Sequence, residues 1–295
     1  MLEQLKYNCF MNKLNNIKRS QVITCLIEGC SIRSTVRMTG VAKKTVMRLL
    51  VEVGEVCSRY QDEVFRGLSC QRIQVDELWS FVYCKQKNLT PEIAATNPRA
   101  GDVWLWVALD ADTKLVPSWF VGSRDADAAD VFLQDLASRI STRTQLTTDG
   151  HKVYLNAVEG AFRDRVDYSM LIKLYGPAPD FDTRYSPGEC TGCERKPIMG
   201  NPDPKHISTS FVERQNLTAR MMVRRLTRLT NAFSKKLENH TAAMALYYFA
   251  YNFIKIHGTL RCTPAMAAGV TNKLWEVSDL VALWEEYERR EERAA

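Results

Sequence analysis

The run Gln71-Arg-Ile-Gln-Val-Asp-Glu-Leu-Trp-Ser-Phe-Val-Tyr83 decides the fold of most of the chain, because its β-branched, aromatic and leucine side chains predict a strand. Similar runs follow at residues 103–110 and 115–121, and the turn residues 110–114 separate them. We expect the three segments to form a meander. Residues 85–101 contain proline, asparagine and glycine, which indicates a loop between the first two strands.

A helix and another strand follow the meander. Residues 124–140 predict a helix, with apolar positions at Val131, Leu133, Leu136 and Ile140. Residues 144–148 predict a short strand that ends at Asp149-Gly150. A sheet followed by a helix and a further strand implies an α/β layer architecture.

The N-terminal part is helical in pattern. An apolar stripe marks a first helix, at Val22, Ile23, Leu26 and Ile27, and Ser31 can cap a second helix through Val36. After a turn at residues 38–41, the segment 42–50 buries apolar side chains and leaves polar ones outward near its start, namely Lys43, Lys44, Thr45 and Arg48. This is the arrangement of a helix-turn-helix that reads the DNA major groove.

Charge supports the same interpretation of the N-terminal part. Between Ile17 and Arg48 seven residues are basic and only Glu28 is acidic, as phosphate binding requires. A plain three-helix bundle with a solvated basic face is the alternative.

Composition and length limit the class of protein. The 295 residues are 45% hydrophobic and 25% charged, as in globular proteins with one large and one small domain, and a net charge of +6 favours an anionic partner only weakly. The longest apolar stretch, 242–254, is too short to span a bilayer, and no signal-peptide core is present at the start, so we expect a cytoplasmic protein without a membrane partner.

Nine cysteines without a secretory segment favour free thiols over a disulfide framework. Cys190 and Cys193 form a Cys-x2-Cys pair, which is half of a zinc site. His206 lies thirteen residues further on and no local Cys or His completes four ligands, which argues against a structural zinc.

Three acidic residues, Asp76, Asp149 and Glu213, lie in distant segments, as a site for two divalent ions requires. Asp76 lies among apolar neighbours, where an ionised carboxylate is costly unless it is paired or holds a metal. Its neighbour Glu77 competes for the role, but alternation along a strand predicts that Glu77 points to the opposite face. Each acid also has a structural alternative, since Asp149 suits a turn before Gly150 and Glu213 suits the first turn of a helix.

Residues 208–236 supply the third carboxylate. In a single helix, Arg220, Arg224 and Arg228 would share the face of Glu213, each within about 60° of it. The opposite face would carry Met222, Leu226, Leu229 and Phe233. From Arg214 to Lys236 there are seven basic residues and no acidic one, so this helix could offer a carboxylate to metal and guanidinium groups to phosphates. A basic helix that only packs is the alternative.

Five strings, in this order, resemble those of bacterial DDE transposases of the IS-one insertion-sequence family: Val75-Asp-Glu-Leu-Trp79, Thr147-Thr-Asp-Gly150, Phe211-Val-Glu-Arg-Gln-Asn216, Tyr251-Asn-Phe-Ile-Lys-Ile-His-Gly258 and Thr263-Pro-Ala-Met-Ala-Ala-Gly269. The three acids are spaced by 73 and 64 residues, and the resemblance extends from the helix-turn-helix to about Gly269.

The resemblance implies a helix-turn-helix domain over residues 1–66, a ribonuclease-H-like catalytic domain over 71–260 and a helical tail over 261–295. It implies that Asp76, Asp149 and Glu213 hold two Mg²⁺ or Mn²⁺ ions, which activate a water or a DNA 3′-hydroxyl and stabilise the departing oxygen. It also implies a DNA contact by the basic residue seven positions after the glutamate, here Arg220. The charge of the segment adds Arg214, Arg224 and Arg228 as predicted DNA contacts.

The implied activity is magnesium-dependent polynucleotidyl transfer, in which the strands at the ends of a mobile genetic element are cleaved and joined to a target. The partners would be double-stranded DNA, both terminal inverted repeats and target, and further copies of the chain assembled on it. The protein would then be associated with the bacterial nucleoid. Two alternatives remain. A DNA-binding regulator would use the same helix-turn-helix with an inactive catalytic domain, and a nuclease would keep the three acids but lack strand transfer.

Two further features bear on the mechanism. A recombinase with a covalent intermediate would need a nucleophile such as Tyr247, Tyr248 or Tyr251, but their apolar neighbours indicate a packed helix. Residues 175–207 contain six prolines and four glycines and predict a long loop inserted in the catalytic domain. That loop would contact the DNA ends of the element or form a solvent-exposed insertion.

Overall fold

The structure is a computed structural model that describes residues 13–176, 190–227 and 230–294. Its strands are Arg72–Val82 (β1), Gly101–Asp110 (β2), Ser118–Gly122 (β3), Thr144–Asp149 (β4), Val166–Tyr175 (β5) and Cys190–Met199 (β6). Its helices are Asn16–Ile27 (α1), Ile32–Thr39 (α2), Lys43–Val64 (α3), Pro91–Thr96 (α4), Ala126–Arg139 (α5), Tyr154–Phe162 (α6), Ser210–Met222 (α7), Leu237–Phe249 (α8), Pro264–Ala267 (α9) and Val277–Ala294 (α10). A π-turn, Ala250–Ile254, extends α8.

The six strands form one mixed sheet in the order β3-β2-β1-β4-β5-β6. The pairs β1–β2 and β2–β3 are antiparallel, which confirms the predicted meander. Strand β4 runs parallel to β1, and β5 runs parallel to β4, because α5 and α6 provide the crossovers that parallel neighbours need. The predicted α/β architecture is confirmed, and the sheet with its helices is compatible with a ribonuclease-H-like domain.

The long loop predicted at residues 175–207 is wrong at residues 190–199, which form strand β6. Strand β6 pairs antiparallel with β5 and places Pro197 opposite Ser169. Proline is tolerated there because β6 lies at the edge of the sheet, where one row of N–H groups needs no partner strand. Residues 177–189 of the predicted loop lie outside the described residues. Cys190 and Cys193 are exposed free thiols on β6.

The single helix predicted over residues 208–236 is also wrong. Helix α7 ends at Met222, Val223 adopts an extended backbone, and a 3-10 turn follows at Arg224–Leu226. The turn buries both Val223 and Leu226, which are 8% and 1% exposed. Arg224 therefore does not continue the face of α7 that carries Glu213.

The helix at residues 124–140 is confirmed as α5, but one of its predicted core positions is wrong. Val131 is 53% exposed, whereas Phe132 is fully buried between the helix and the sheet. The buried face is therefore formed by Phe132, Leu133 and Leu136. The Phe132 ring contacts the Trp106 ring of β2 and anchors this face to the sheet.

Three helices, α1 to α3, precede the sheet. Asn15 and Ser31 cap α1 and α2 with their side-chain oxygens, and Gly40 ends α2 in the left-handed conformation with φ of 70°. Helix α3 packs against α8, and its backbone at Gly54 approaches Ala242 too closely to admit a Cβ atom. The N-terminal helices and the sheet therefore share one hydrophobic core.

The C-terminal helix α10 packs back onto α1. The Arg19 guanidinium lies 4.1 Å from the centre of the Trp284 ring and pairs with Glu288 at 3.2 Å. The division of the chain at residues 66–71 and 260 stays a prediction. No described helix combines the length and the apolar character that crossing a bilayer requires.

Candidate metal centre

Asp76 and Asp149 come together because their strands are parallel neighbours. Gln74 of β1 lies opposite Thr147 of β4. Continuing that register by two residues aligns Asp76 with Asp149, and both side chains fall on the face of the sheet that Gln74 shares. Asp76, Glu77 and Asp149 each offer a carboxylate oxygen within 4.8 Å of the others, and we call this group the acidic cluster.

Asp149 fulfils the structural role that the sequence suggested as well. One of its carboxylate oxygens accepts the backbone N–H of His151 at 2.9 Å, which stabilises the turn after β4. The turn holds the carboxylate in place while it belongs to the acidic cluster.

The expectation that Glu77 turns away from the site is wrong. Alternation along β1 directs the Glu77 side chain away from the face that carries Asp76. The pairing of β1 with β4 ends at Gln74 and Thr147, however, so no strand lies between Glu77 and Asp149. The Glu77 side chain is 1% exposed, and Arg124 donates to its Oε2 at 3.3 Å. The buried Tyr154 hydroxyl also interacts with this carboxyl and acts to lower its pKa.

The acidic cluster is electrostatically strained. Burial raises the pKa of Asp76 to about 7, and the neighbouring charges of Glu77 and Asp149 act in the same direction. Burial raises the pKa of Glu77 as well. A hydrogen bond from Asn216 to Asp76 Oδ2, at 2.9 Å, opposes the shift without cancelling it. Arg124 beside Glu77 does not offset the repulsion among three carboxylates, because the pKa values of both Asp76 and Glu77 stay raised.

The donor set fits a divalent cation. Three carboxylates converge, and a buried oxygen beside them, Asn216 Oδ1, has no hydrogen-bond donor among the described residues. Hard cations such as Mg²⁺ and Mn²⁺ take oxygen ligands of this kind. The acidic cluster could therefore hold a metal ion.

Glu213 lies beside the acidic cluster but does not belong to it. The N-terminus of α7 is fixed to β1 because Gln74 Oε1 accepts the backbone N–H groups of Phe211 and Val212, at 2.8 and 3.1 Å. Glu213 is in the first turn of that helix, and Asn216, which contacts Asp76, is one turn later on the same side. The third carboxylate is thus one helical turn from the residue that binds the first.

Lys173 of β5 holds the Glu213 carboxylate. Its Nζ donates to Glu213 Oε1 at 2.6 Å, and Thr209 Oγ1 donates to the same oxygen. Burial lowers the pKa of Lys173, but the hydrogen bond and charge of Glu213, with a contribution from Asp76, outweigh burial and raise it. The sequence analysis did not identify Lys173. The pairing of β4 with β5 places Leu171 opposite Asp149, and Lys173 follows two residues later, near the acidic cluster.

The basic residues predicted to bind DNA have different surroundings. At the start of α3, Lys43, Lys44 and Arg48 are exposed and Thr45 is half-buried, while Val46, Leu49 and Leu50 of the same segment are buried, as expected for its apolar side chains. Arg214 and Arg224 are exposed.

Arg220 and Arg228 complete the predicted set. The Arg220 guanidinium donates to the backbone carbonyls of Leu226 at 2.8 Å and Trp79 at 3.4 Å, so it supports the end of α7. Arg228 lies outside the described residues.

The aromatic motif near residue 251 is structural. Tyr247, Tyr248 and Tyr251 are 7%, 0% and 9% exposed, and burial raises the pKa of each hydroxyl. Asn252 bonds the backbone N–H and carbonyl of Val116, each at 3.0 Å, which ties the π-turn after α8 to the meander.

No family model matches the sequence, and no curated protein matches it. Among solved structures, the chain has a distant likeness to piggyBac transposase, determined by cryo-electron microscopy in a synaptic complex with hairpin DNA. The TM-score is 0.40 and the identity 8%, over 92% of this chain and 71% of that chain. The functional conclusion therefore depends on the acidic cluster and the residues around it.

Proposed function

We propose that the protein is a DDE transposase of the IS-one type, which cleaves DNA at the ends of an insertion sequence and joins the ends to a target. One observation carries the proposal. Carboxylates from β1 and β4 converge, and α7 places Glu213 one turn from the Asn216 that binds Asp76. Acids from three distant segments on rigid elements are what phosphoryl transfer with divalent ions needs.

In the proposed centre, Asp76, Asp149 and Glu213 would hold two divalent ions, and Glu77 would add a fourth carboxylate. When bound, such ions supply activation of the attacking hydroxyl and stabilisation of the leaving oxygen of a phosphodiester. The chain's other residues set the geometry of these acids. Asn216 orients Asp76, Lys173 orients Glu213, and Gln74 fixes the helix that carries both Glu213 and Asn216.

DNA binding is the second part of the proposal. The start of α3 presents exposed cations that suit a DNA groove: Lys43, Lys44 and Arg48, with Thr45 beside them. Arg214, Arg224 and Arg228 are proposed phosphate contacts near the metal centre. Arg220 would support them by holding the end of α7. Several copies of the chain would assemble on the paired DNA ends.

A reconstituted reaction tests the proposal. The full-length protein is mixed with Mg²⁺, target DNA and donor DNA taken from both flanks of its coding sequence, and cleaved and joined products are measured. We expect both products, and their loss in Asp76→Asn, Asp149→Asn and Glu213→Gln but not in the exposed control Glu159→Gln. Cleavage without joining would instead support a nuclease. DNA binding without cleavage, indifferent to metal and to these substitutions, would support a regulator.

A further inference from the structure

A cleft of about 760 Å³ lies between the N-terminal helices and the end of α7. One wall comes from α1, α2 and α3, and the other from the end of α7, the segment 230–236 and α8. Six cations line it: Arg33, Lys43, Arg224, Arg225, Lys235 and Lys236. No carboxylate lines it among the described residues. A cleft with charge of one sign concentrates the field and attracts anions.

Arg225 is the inner cation of this basic cleft. Its Nη1 donates to Ser234 Oγ at 2.8 Å and to the Asn239 carbonyl at 2.9 Å, and both partners are neutral. Burial lowers the pKa of Arg225 to about 10, and no carboxylate among the described residues offsets that cost. A buried guanidinium without a counter-charge is stabilised when an anion binds beside it.

The other lining groups favour a nucleic-acid strand over a small ion. Met47, Phe233 and Tyr247 give the basic cleft apolar and aromatic surface between its cations. Grooves that hold nucleic-acid strands combine cations for the phosphates with aromatic and apolar surface for sugars and bases. Lys43 belongs to the helix that carries the proposed groove-binding residues, and Arg224 follows the helix that carries Glu213.

We propose that the basic cleft binds the phosphate backbone of a DNA strand, with Arg225 as its innermost contact, between the N-terminal helices and the end of α7. The inference rests on the proposed function in taking DNA as the ligand. It adds four residues to the proposed DNA contacts: Arg33, Arg225, Lys235 and Lys236.

Salt-dependent DNA binding tests the inference without metal or catalysis. The affinity of the full chain for fluorescein-labelled donor-end DNA is measured by anisotropy between low and moderate salt. In Lys235→Gln/Lys236→Gln we expect the slope of log affinity against log salt to become shallower by about 1.4 to 1.8, since each phosphate contact contributes about 0.7 to 0.9. Both lysines are exposed, so their replacement spares the core.

Matched variants isolate the basic cleft from general charge loss. Lys87→Gln/Arg99→Gln removes two exposed cations between β1 and β2 and should leave the slope unchanged. Arg225→Gln should weaken binding on the order of tenfold, with partial recovery in Arg225→Lys, as for a charge-assisted hydrogen bond. Circular dichroism checks that each variant is folded.

The outcomes separate the inference from the proposed function. Unchanged slopes in the cleft variants, with wild-type protein binding DNA, would overturn the inference alone. Wild-type protein that binds no DNA would overturn both. If the cleft variants lose binding of inorganic phosphate or pyrophosphate but keep wild-type DNA affinity and slope, the basic cleft is a small-anion site and the inference fails.

Discussion

Asp76 carries much of the electrostatic cost of the acidic cluster. Its carboxyl lies in β1 beside Glu77 and Asp149, and the hydrogen bonds from Asn216 and a backbone N–H that favour its charged form do not offset burial. Its pKa therefore lies near 7 in the folded protein, against 3.8 for an ordinary aspartate. Between these two pH values the folded protein keeps a proton that the unfolded chain has lost.

This difference predicts the pH dependence of stability without metal. The contribution of Asp76 protonation is fully present below about pH 4 and is lost as pH rises through about 7. We expect the Tm of the wild type to fall over this range by at least about 2–4 °C more than that of Asp76→Asn. Thermal unfolding in buffers from pH 4 to 8 measures it.

The second prediction concerns the Tm measured in the presence of Mg²⁺. Mg²⁺ should raise the Tm of the wild type more at pH 8 than at pH 6, because the metal competes with the proton, and should not stabilise Asp76→Asn in this way. The exposed Asp130→Asn serves as control and should behave as the wild type. Parallel pH profiles for wild type and Asp76→Asn would contradict the assigned role of Asp76.

At the scale of elements, α7 joins the acidic cluster through its N-terminus. The Gln74 side chain, 3% exposed, receives two of the backbone N–H groups that a helix leaves unpaired at its start. This contact sets the rotation and height of α7 over β1. Glu213 and Asn216 take their positions from it.

Gln74→Ala should therefore loosen α7. We expect the free energy of unfolding to fall by about 1–2 kcal/mol, as for the loss of a helix cap, and the stabilisation by Mg²⁺ to decrease. Urea unfolding with and without Mg²⁺ measures both. Gln134→Ala, an exposed change on α5, should stay within about 0.5 kcal/mol of the wild type. If Gln74→Ala matches that control, Gln74 does not position the helix.

At the scale of the whole molecule, the N-terminal helices are packed into the body of the protein. The Tyr60 ring of α3 stacks edge-on against Phe249 and Phe253, and Phe65 stacks face-to-face on Phe253. The cations at the start of α3 are thus held rigidly relative to the sheet that carries the acidic cluster. We expect the two parts to unfold together.

Gly54→Ala tests this coupling. A Cβ at Gly54 would lie 2.7 Å from the backbone oxygen of Ala242, so α3 and α8 would have to separate, at a cost of about 1–3 kcal/mol. The matched change Gly160→Ala, in α6, meets no atom within 4 Å and should stabilise by about 0.5–1 kcal/mol. Circular dichroism and tryptophan fluorescence should report one common transition in both variants. Separate transitions would show that the N-terminal helices are an independent domain.

The sequence by itself determined the local elements. Alternating and β-branched residues predicted β1 to β4, an apolar stripe predicted α1, and Ser31 predicted the start of α2. The desolvation cost of an aspartate among Ile73, Val75 and Leu78 singled out Asp76. These features depend on neighbours along the chain, which a sequence displays directly. The resemblance to a transposase family then grouped Asp76 with Asp149 and Glu213.

Only the tertiary structure decided which side chains meet. Glu77 enters the acidic cluster because the paired register of β1 and β4 stops short of it, and Lys173 reaches Glu213 because β5 lies beside β4. The end of α7 at Met222 depends on the burial of Val223 and Leu226, and β6 depends on pairing with β5. Such contacts join residues that are distant along the chain, so local propensity and periodicity do not predict them.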